Sequence, residues 1–199
     1  MKKILFLCIT LCVAATLQAQ DINLNAPQRK GGKTVLEALS ERRSERVYVK
    51  KAMPAQTLSN LLWAANGFNR DDKRTAPTAM NRQEMELYVV FDDAAYTYDA
   101  KKNVLRRVVD GDVRAALGQP NITNEAALSI VMVADLNKSS IESARTSAGY
   151  ISQNIYLFAA SEGLGTVARG SFKGDDLAKA LRLIEKQTVI LVQPVGYLK

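Results

Sequence analysis

The stretch SIESARTSAGYISQNIYLFAASEGLGT, residues 140–166, decides the fold. Ile141, Ala144, Ala148, Ile151, Ile155 and Phe158 recur every three or four residues, and Ala159 and Ala160 widen the stripe. That spacing predicts a long helix from about Ser140 to Glu162, buried along one face at the centre of the molecule. Gly163 and Gly165 follow it. Glycine suits a helix C-terminus and lets another group come close to the backbone.

Strands are legible on either side. Glu86–Phe91 and Leu128–Ala134 read as buried strands, and Thr188–Val192 as another that continues towards Gly196. Ala95–Tyr98 and Val104–Val109 read as shorter strands joined by a hairpin turn over Asp99–Asn103. Thr34-Val35-Leu36-Glu37 has the spacing of a capping box, and Val35, Leu36 and Leu39 supply one apolar face of a helix running to about Arg42. Leu58, Leu61, Leu62 and Ala65 mark a second helix, with Trp63 beside the stripe and Gly67 placed to end it at positive φ. Residues 68 to about 82 are polar, contain Pro77, and predict an irregular loop. A helical turn or two near Asp112–Leu117 and a short helix over Asp175–Ile184 complete the outline. Helices and strands mix without regular βαβ alternation, so the expected class is α+β.

Composition narrows the chemistry. The 199 residues include 27 Lys and Arg, 20 Asp and Glu, two Cys and no His. One domain is the natural expectation at this length. Without His there is no Ser-His-Asp or Cys-His catalysis and no His-ligated metal. Lys2 and Lys3, the apolar run Ile4–Leu17 and the small-residue site at Leu17-Gln18-Ala19 predict a cleaved signal peptide over residues 1–20, with export to the periplasm or beyond. The run is too short for a comfortable membrane span, so no stable insertion is expected after cleavage. Cleavage removes both Cys8 and Cys12 and lowers the net charge from +7 to +5. No thiolate chemistry survives. The mild basic excess has no dense run that would suit nucleic acid, and a few placed arginines fit a small anion better.

Three clusters could carry chemistry. Arg42-Arg43-Ser44-Glu45-Arg46 offers guanidinium forks and a hydroxyl that can gather around a phosphate, although a helix C-terminus also favours exposed Arg. Ala76 to Gln83 contains Asn81, whose carboxamide suits the edge of a heteroaromatic ring, in what is equally a turn-rich surface loop. Ser161 to Thr166 combines two glycines with the end of the buried helix, which also describes an ordinary cap. The acid pairs Asp71-Asp72, Asp92-Asp93 and Asp175-Asp176 fall in turns or at a helix start and read as solvated carboxylates or caps, so no metal site is expected.

Taken in order, these clusters resemble the flavin-dependent nitroreductase family. Its Arg-Arg-Ser-x-Arg motif is matched by Arg42, Arg43, Ser44 and Arg46. Its Ala-Pro-Ser-Ala-x-Asn-x-Gln motif is matched from Ala76 to Gln83, with Thr78 for Ser. Its third motif is matched by Gln153, Asn154, Leu157, Ala159, Gly163, Leu164, Gly165 and Thr166, and Pro194-Val195-Gly196-Tyr197 looks like its last core strand. The helix Leu61–Gly67 is most similar to the branch containing azoline-oxidising dehydrogenases.

The resemblance implies a nitroreductase-like domain over residues 33–199, following an extended leader at 21–32. It implies a central, mostly antiparallel sheet flanked by helices, an intertwined homodimer, and FMN at the subunit interface. Arg42, Ser44 and Arg46, with Arg43 beside them, would contact the phosphate and ribityl side. Asn81, with Gln83 nearby, would meet the ring edge, often from the partner subunit. Glu162 and Gly163 would lie by flavin N5, with Gly165 in the same motif, and Lys199 would be the basic group beyond the final strand. The flavin carries the chemistry, so no side chain is expected to be catalytic in its own right. The expected activity is ping-pong hydride transfer through FMN N5 from NADH, NADPH or another donor to a nitroaromatic, quinone-like or other small acceptor. The alternative is a non-catalytic periplasmic module holding a flavin or other planar ligand in the same fold.

Overall fold

The computed structural model describes residues 20–199; the predicted signal peptide lies outside the described residues but for Gln20. The strands are β1 (Ile22–Asn23), β2 (Tyr48–Val49), β3 (Phe68–Arg70), β4 (Lys73–Arg74), β5 (Met85–Val90), β6 (Ala94–Asp99), β7 (Val104–Asp110), β8 (Leu128–Asp135), β9 (Leu164–Thr166) and β10 (Gln187–Leu198). The helices are α1 (Val35–Glu41), α2 (Ala55–Asn66), α3 (Pro120–Thr123), α4 (Ile141–Ser161) and α5 (Gly174–Ala180), with short 3-10 turns at Ala79–Asn81 and Arg114–Leu117.

The main sheet runs β1-β7-β6-β5-β8-β10-β2, with β9 also on β10, and its pairings are antiparallel. Val195 pairs with Leu128 of β8 and with Thr166 of β9, so β9 lies on the edge of β10 away from β8. The period-two alternation of a sheet separates two cores. Leu87, Val89, Ile130 and Met132 face one way and pack with Leu61, Leu62, Ile151 and Ile155 of α2 and α4. Tyr88, Val90, Val131 and Val133 face the other way, towards Leu117 and Leu177. The α+β class and the antiparallel sheet are as expected.

Helix α4 spans 21 residues and buries Ala144, Ser147, Ala148, Ile151, Ser152, Ile155 and Ala159. Small side chains along this stripe let it lie close to the sheet.

Several local expectations need correction. The capping box at Thr34 and Glu37 forms, but α1 buries Ala38 and leaves Val35, Leu36 and Leu39 exposed. Gly67 ends α2 with φ −75°, not a positive value; glycine is needed there because a Cβ would lie 2.5 Å from Trp63 Cδ1. Residues 68–74 are a two-stranded hairpin, β3–β4, and not an irregular loop. The short helix before the last strand stops at Ala180, short of Ile184. The two-residue strands β1 and β2 are too brief to show a period, and they form because β7 and β10 offer them free edges.

Candidate functional site

The first and third clusters meet where α1 ends beside the C-terminus of α4. Glu45 N–H donates to Thr166 O at 2.9 Å, joining the Arg-rich segment to β9. That approach depends on Gly165. A Cβ there would lie 2.4 Å from Leu198 Cδ2, 3.0 Å from Glu45 Cβ and 3.1 Å from Tyr48 Cε1. Tyr48 donates its hydroxyl to Glu45 O at 2.6 Å, and burial pushes its pKa well above the ordinary value.

Tyr156 of α4 fastens the same segment from the other side. Its hydroxyl is 2.9 Å from Ser44 Oγ and accepts from Ala168 N–H at 2.9 Å. Its ring lies under the Arg42 guanidinium, 4.9 Å from ring centre to Cζ.

Between these elements is a cavity of about 370 Å³ whose lining includes Lys33, Arg42, Arg43, Tyr156, Gly163 and Thr166. Its charges are not equivalent. Lys33 pairs with Glu41 and donates to Ala160 O at 3.3 Å, which neutralises a terminal carbonyl of α4. Arg43 pairs with Glu45, and that bond raises the Arg43 pKa. Arg42 has no carboxylate partner among the described residues, and its Nε is buried without a hydrogen bond. Gly163, at φ +67°, has open space where a Cβ would stand. The cavity therefore offers one uncommitted guanidinium beside bare backbone, an arrangement suited to an anion.

The remaining predicted site residues are placed as follows. Ser44 joins the cavity's frame through Tyr156. Gly165 is buried and serves close packing. Arg46 and Lys199 are exposed and do not line the cavity. Glu162 faces a second cavity, of about 680 Å³, between the leader, α2 and α4; Lys33 lines both.

Asn81 and Gln83 are not brought to the Arg42 cavity within one chain. They close a loop of their own. Asn81 Nδ2 donates to Asp72 O at 3.1 Å, Gln83 Nε2 donates to the same oxygen at 2.7 Å, and Arg74 Nε donates to Gln83 Oε1 at 3.0 Å. Met80, Asn81 and Gln83 all have positive φ, and Met80 is 84% exposed at the tip. A loop that holds three non-glycine residues in this region is fixed by its bonds and presents its tip outward.

Sequence reasoning missed Lys33 and Tyr156. Lys33 is the residue before the capping box, and Tyr156 lies one residue outside the apolar stripe of α4, so periodicity gave no reason to single out either. It also missed Arg169, which is buried with Nε and Nη1 unpaired among the described residues, while Nη2 donates to Leu117 O and Ser171 O at 3.2 and 2.9 Å. Burial lowers its pKa from the ordinary guanidinium value. Among the described residues no group of acids, His or Cys is arranged to hold a metal.

Comparison with known proteins agrees with the geometry. A structure of a nitroreductase from Ralstonia eutropha JMP134 shares 32% identity, covers 90% of each chain and superposes with a TM-score of 0.85. A protein of Methanocaldococcus jannaschii described as a nitroreductase is 29% identical over 180 residues, 80% of this chain and 89% of its own. A chain of the microcin synthetase complex of E. coli shares the fold at a TM-score of 0.69 and 14% identity, covering 99% of this chain and 85% of its own. Residues 39–197 match the profile of the Nitroreductase family, and with the fold and the Arg42 cavity already in place, the chain belongs to that family.

Proposed function

We propose that the protein is an exported FMN-dependent oxidoreductase working on a small nitroaromatic or quinone-like acceptor. The observation that carries the reading is Arg42, a cation with no carboxylate partner and an unpaired buried Nε among the described residues, in a cavity that Gly163 helps to line. These residues fit a flavin phosphate and its chain: Arg42 would supply the guanidinium, with the Glu45-paired Arg43 beside it, and Ser44 the hydroxyl. When bound, FMN supplies hydride acceptance and donation at its ring.

This chain's own residues would bind and orient. Tyr156 holds Ser44 in place and supports the Arg42 guanidinium from below. Lys33 and Arg43, neutralised by Glu41 and Glu45, shape the rim without adding free charge. Donor and acceptor would take turns at one site, the donor leaving before the acceptor arrives. The donor is NADH, NADPH or a reductant available outside the cytoplasm.

The reading includes a homodimer. Val35 and Leu36 are 66% and 78% exposed on α1, and Met80 stands out on a rigid loop. Burying these against a second copy would remove apolar surface from water and bring Asn81 and Gln83 to the partner's cavity. Sedimentation at micromolar concentration is expected to give twice the monomer mass; a monomer that binds FMN would overturn the shared site.

The deciding experiment is spectral. The purified protein, or the protein reconstituted with FMN, is expected to show flavin absorbance that bleaches with a nicotinamide donor or with dithionite. Flavin that bleaches with dithionite but passes no electrons to any acceptor would favour a binding module. No flavin uptake would remove the proposal.

A further inference from the structure

A groove away from the Arg42 cavity has its own chemistry. It lies between the leader, α2, the β3–β4 hairpin and the β6–β7 turn, encloses about 590 Å³, and is lined by Trp63, Phe68, Tyr98, Arg29, Arg70 and Lys101 among others. It runs into the leader cavity, since Arg29, Trp63 and Asn69 line both. One wall is the leader, which falls outside the span of the family match.

The walls are held in place. Trp63 Nε1 donates to Phe68 O at 3.0 Å, which fixes the indole against the hairpin. The leader is tied down along its length: Asn103 Nδ2 donates to Asn25 O at 2.7 Å, Gln56 Nε2 to Ala26 O at 3.0 Å, and Gln28 N–H to Asn60 Oδ1 at 2.8 Å. Arg29 is the next residue, so its backbone position is set.

The charges are uncommitted. Three cations line this groove, Arg29, Arg70 and Lys101, against one acid, Asp71. None of the three forms an ion pair among the described residues. Arg29 and Lys101 rest instead on aromatic faces, 5.2 Å from the centre of Trp63 and 5.8 Å from that of Phe68. A cation over an exposed ring gains little and can turn to a better partner. An anion gives a guanidinium or ammonium a charge-assisted bond, while a planar ring replaces the cation on the aromatic face.

We propose that this groove binds small aromatic anions, an aryl ring carrying a carboxylate or sulfonate. The ring stacks on Trp63, since Phe68 already carries the Arg74 guanidinium 4.5 Å from its centre, and the anionic group is taken by Arg29 and Lys101 with Arg70 nearby. The site is independent of flavin binding at Arg42.

Trp63 is the only tryptophan in the chain, so its fluorescence reports on the groove directly. Flavin-free protein is titrated with 4-nitrobenzoate and with its neutral counterpart 4-nitrobenzamide. Saturable quenching is expected for both, with the anion at least tenfold tighter. Arg29→Ala and Lys101→Ala should each weaken 4-nitrobenzoate at least threefold and leave the amide unchanged; both side chains are exposed, and circular dichroism confirms the fold. Arg42→Ala should leave the anion's affinity as it is. Equal affinity for anion and amide, non-saturating quenching, or an unchanged Arg29→Ala, Lys101→Ala double variant would overturn the proposal. A loss of affinity in Arg42→Ala would also overturn it, by placing the ligand in the other cavity. Failure to bind FMN would leave it standing.

Discussion

The Tyr156 hydroxyl on α4 sits 2.9 Å from Ser44 Oγ, bridging the long helix to the Arg-rich segment, and it also accepts the Ala168 N–H. Tyr156→Phe removes both bonds and leaves the half-buried amide short of a partner. A loss of about 1–3 kcal/mol is expected, a fall in Tm of roughly 2–12 °C for a domain of this size. Ser44→Ala should cost less, because Ala168 keeps its acceptor. Thermal melts of the two variants check the order; equal losses would show that Ala168 finds another partner.

Arg42→Ala should weaken FMN binding by about ten- to a hundredfold, the equivalent of a charge-assisted hydrogen bond of about 1.5–3 kcal/mol. Arg107→Ala should change it little, since Arg107 is engaged with Asp110 of β7 and Tyr96 of β6. Fluorescence titration with FMN compares them, and equal affinities would remove Arg42 from the cofactor site.

Gly165→Ala should destabilise the fold by about 1–3 kcal/mol, the range for overpacking a tight site. Leu198 can rotate away from the new methyl, but the Glu45 and Tyr48 contacts at 3.0 and 3.1 Å must shift with the segment that carries Arg42 and Arg43. Denaturant unfolding measures the loss. Wild-type stability would mean that this segment gives way freely.

Met80→Gly separates fold from assembly. Glycine relieves the positive φ but gains freedom in the unfolded chain, so fold stability should stay within about 1 kcal/mol of wild type. If Met80 seats against a second copy, the dimer should dissociate at lower dilution and FMN affinity should fall with it. Sedimentation over a concentration series distinguishes the two, and an unchanged dimer would take the loop out of the interface.

Glu37 predicts a pH dependence. Its side chain accepts from the Thr34 hydroxyl and backbone N–H, and these bonds hold its pKa below the ordinary 4.5. A depressed carboxylate contributes stability above its unfolded pKa and loses it as the pH falls through the folded value. Wild type should therefore melt above Glu37→Gln at pH 7, with the gap closing below about pH 4. A gap that persists at pH 2 would assign the effect to packing.

Much of this was legible because it is local. The period of α4, the apolar runs of β5 and β8 and the Thr34–Glu37 cap each depend on residues within a few positions of one another. The Arg42 and Gly163 clusters were legible as candidates for the same reason. Their meeting was not. Ser44 and Tyr156 are 112 positions apart, and Lys33 N–H reaches Ser161 Oγ across 128. Nothing in either neighbourhood encodes the other. The exposure of Val35, Leu36 and Leu39 was misread because an apolar stripe says that a face wants cover, not which molecule provides it.

The sequence alone therefore determined the main helices and the long strands, the α+β class and the candidate motifs, since hydrophobic period and capping chemistry act over one or two turns of chain. Only the tertiary structure decided which cations are free. Arg42, Arg43 and Lys33 all read as cations in the sequence, but Glu45 and Glu41 neutralise two of them, while Arg42 lies against Tyr156 with a nitrogen unpaired among the described residues. A charge becomes available for a ligand through what packs beside it, and packing is set by segments that meet only when the chain has folded.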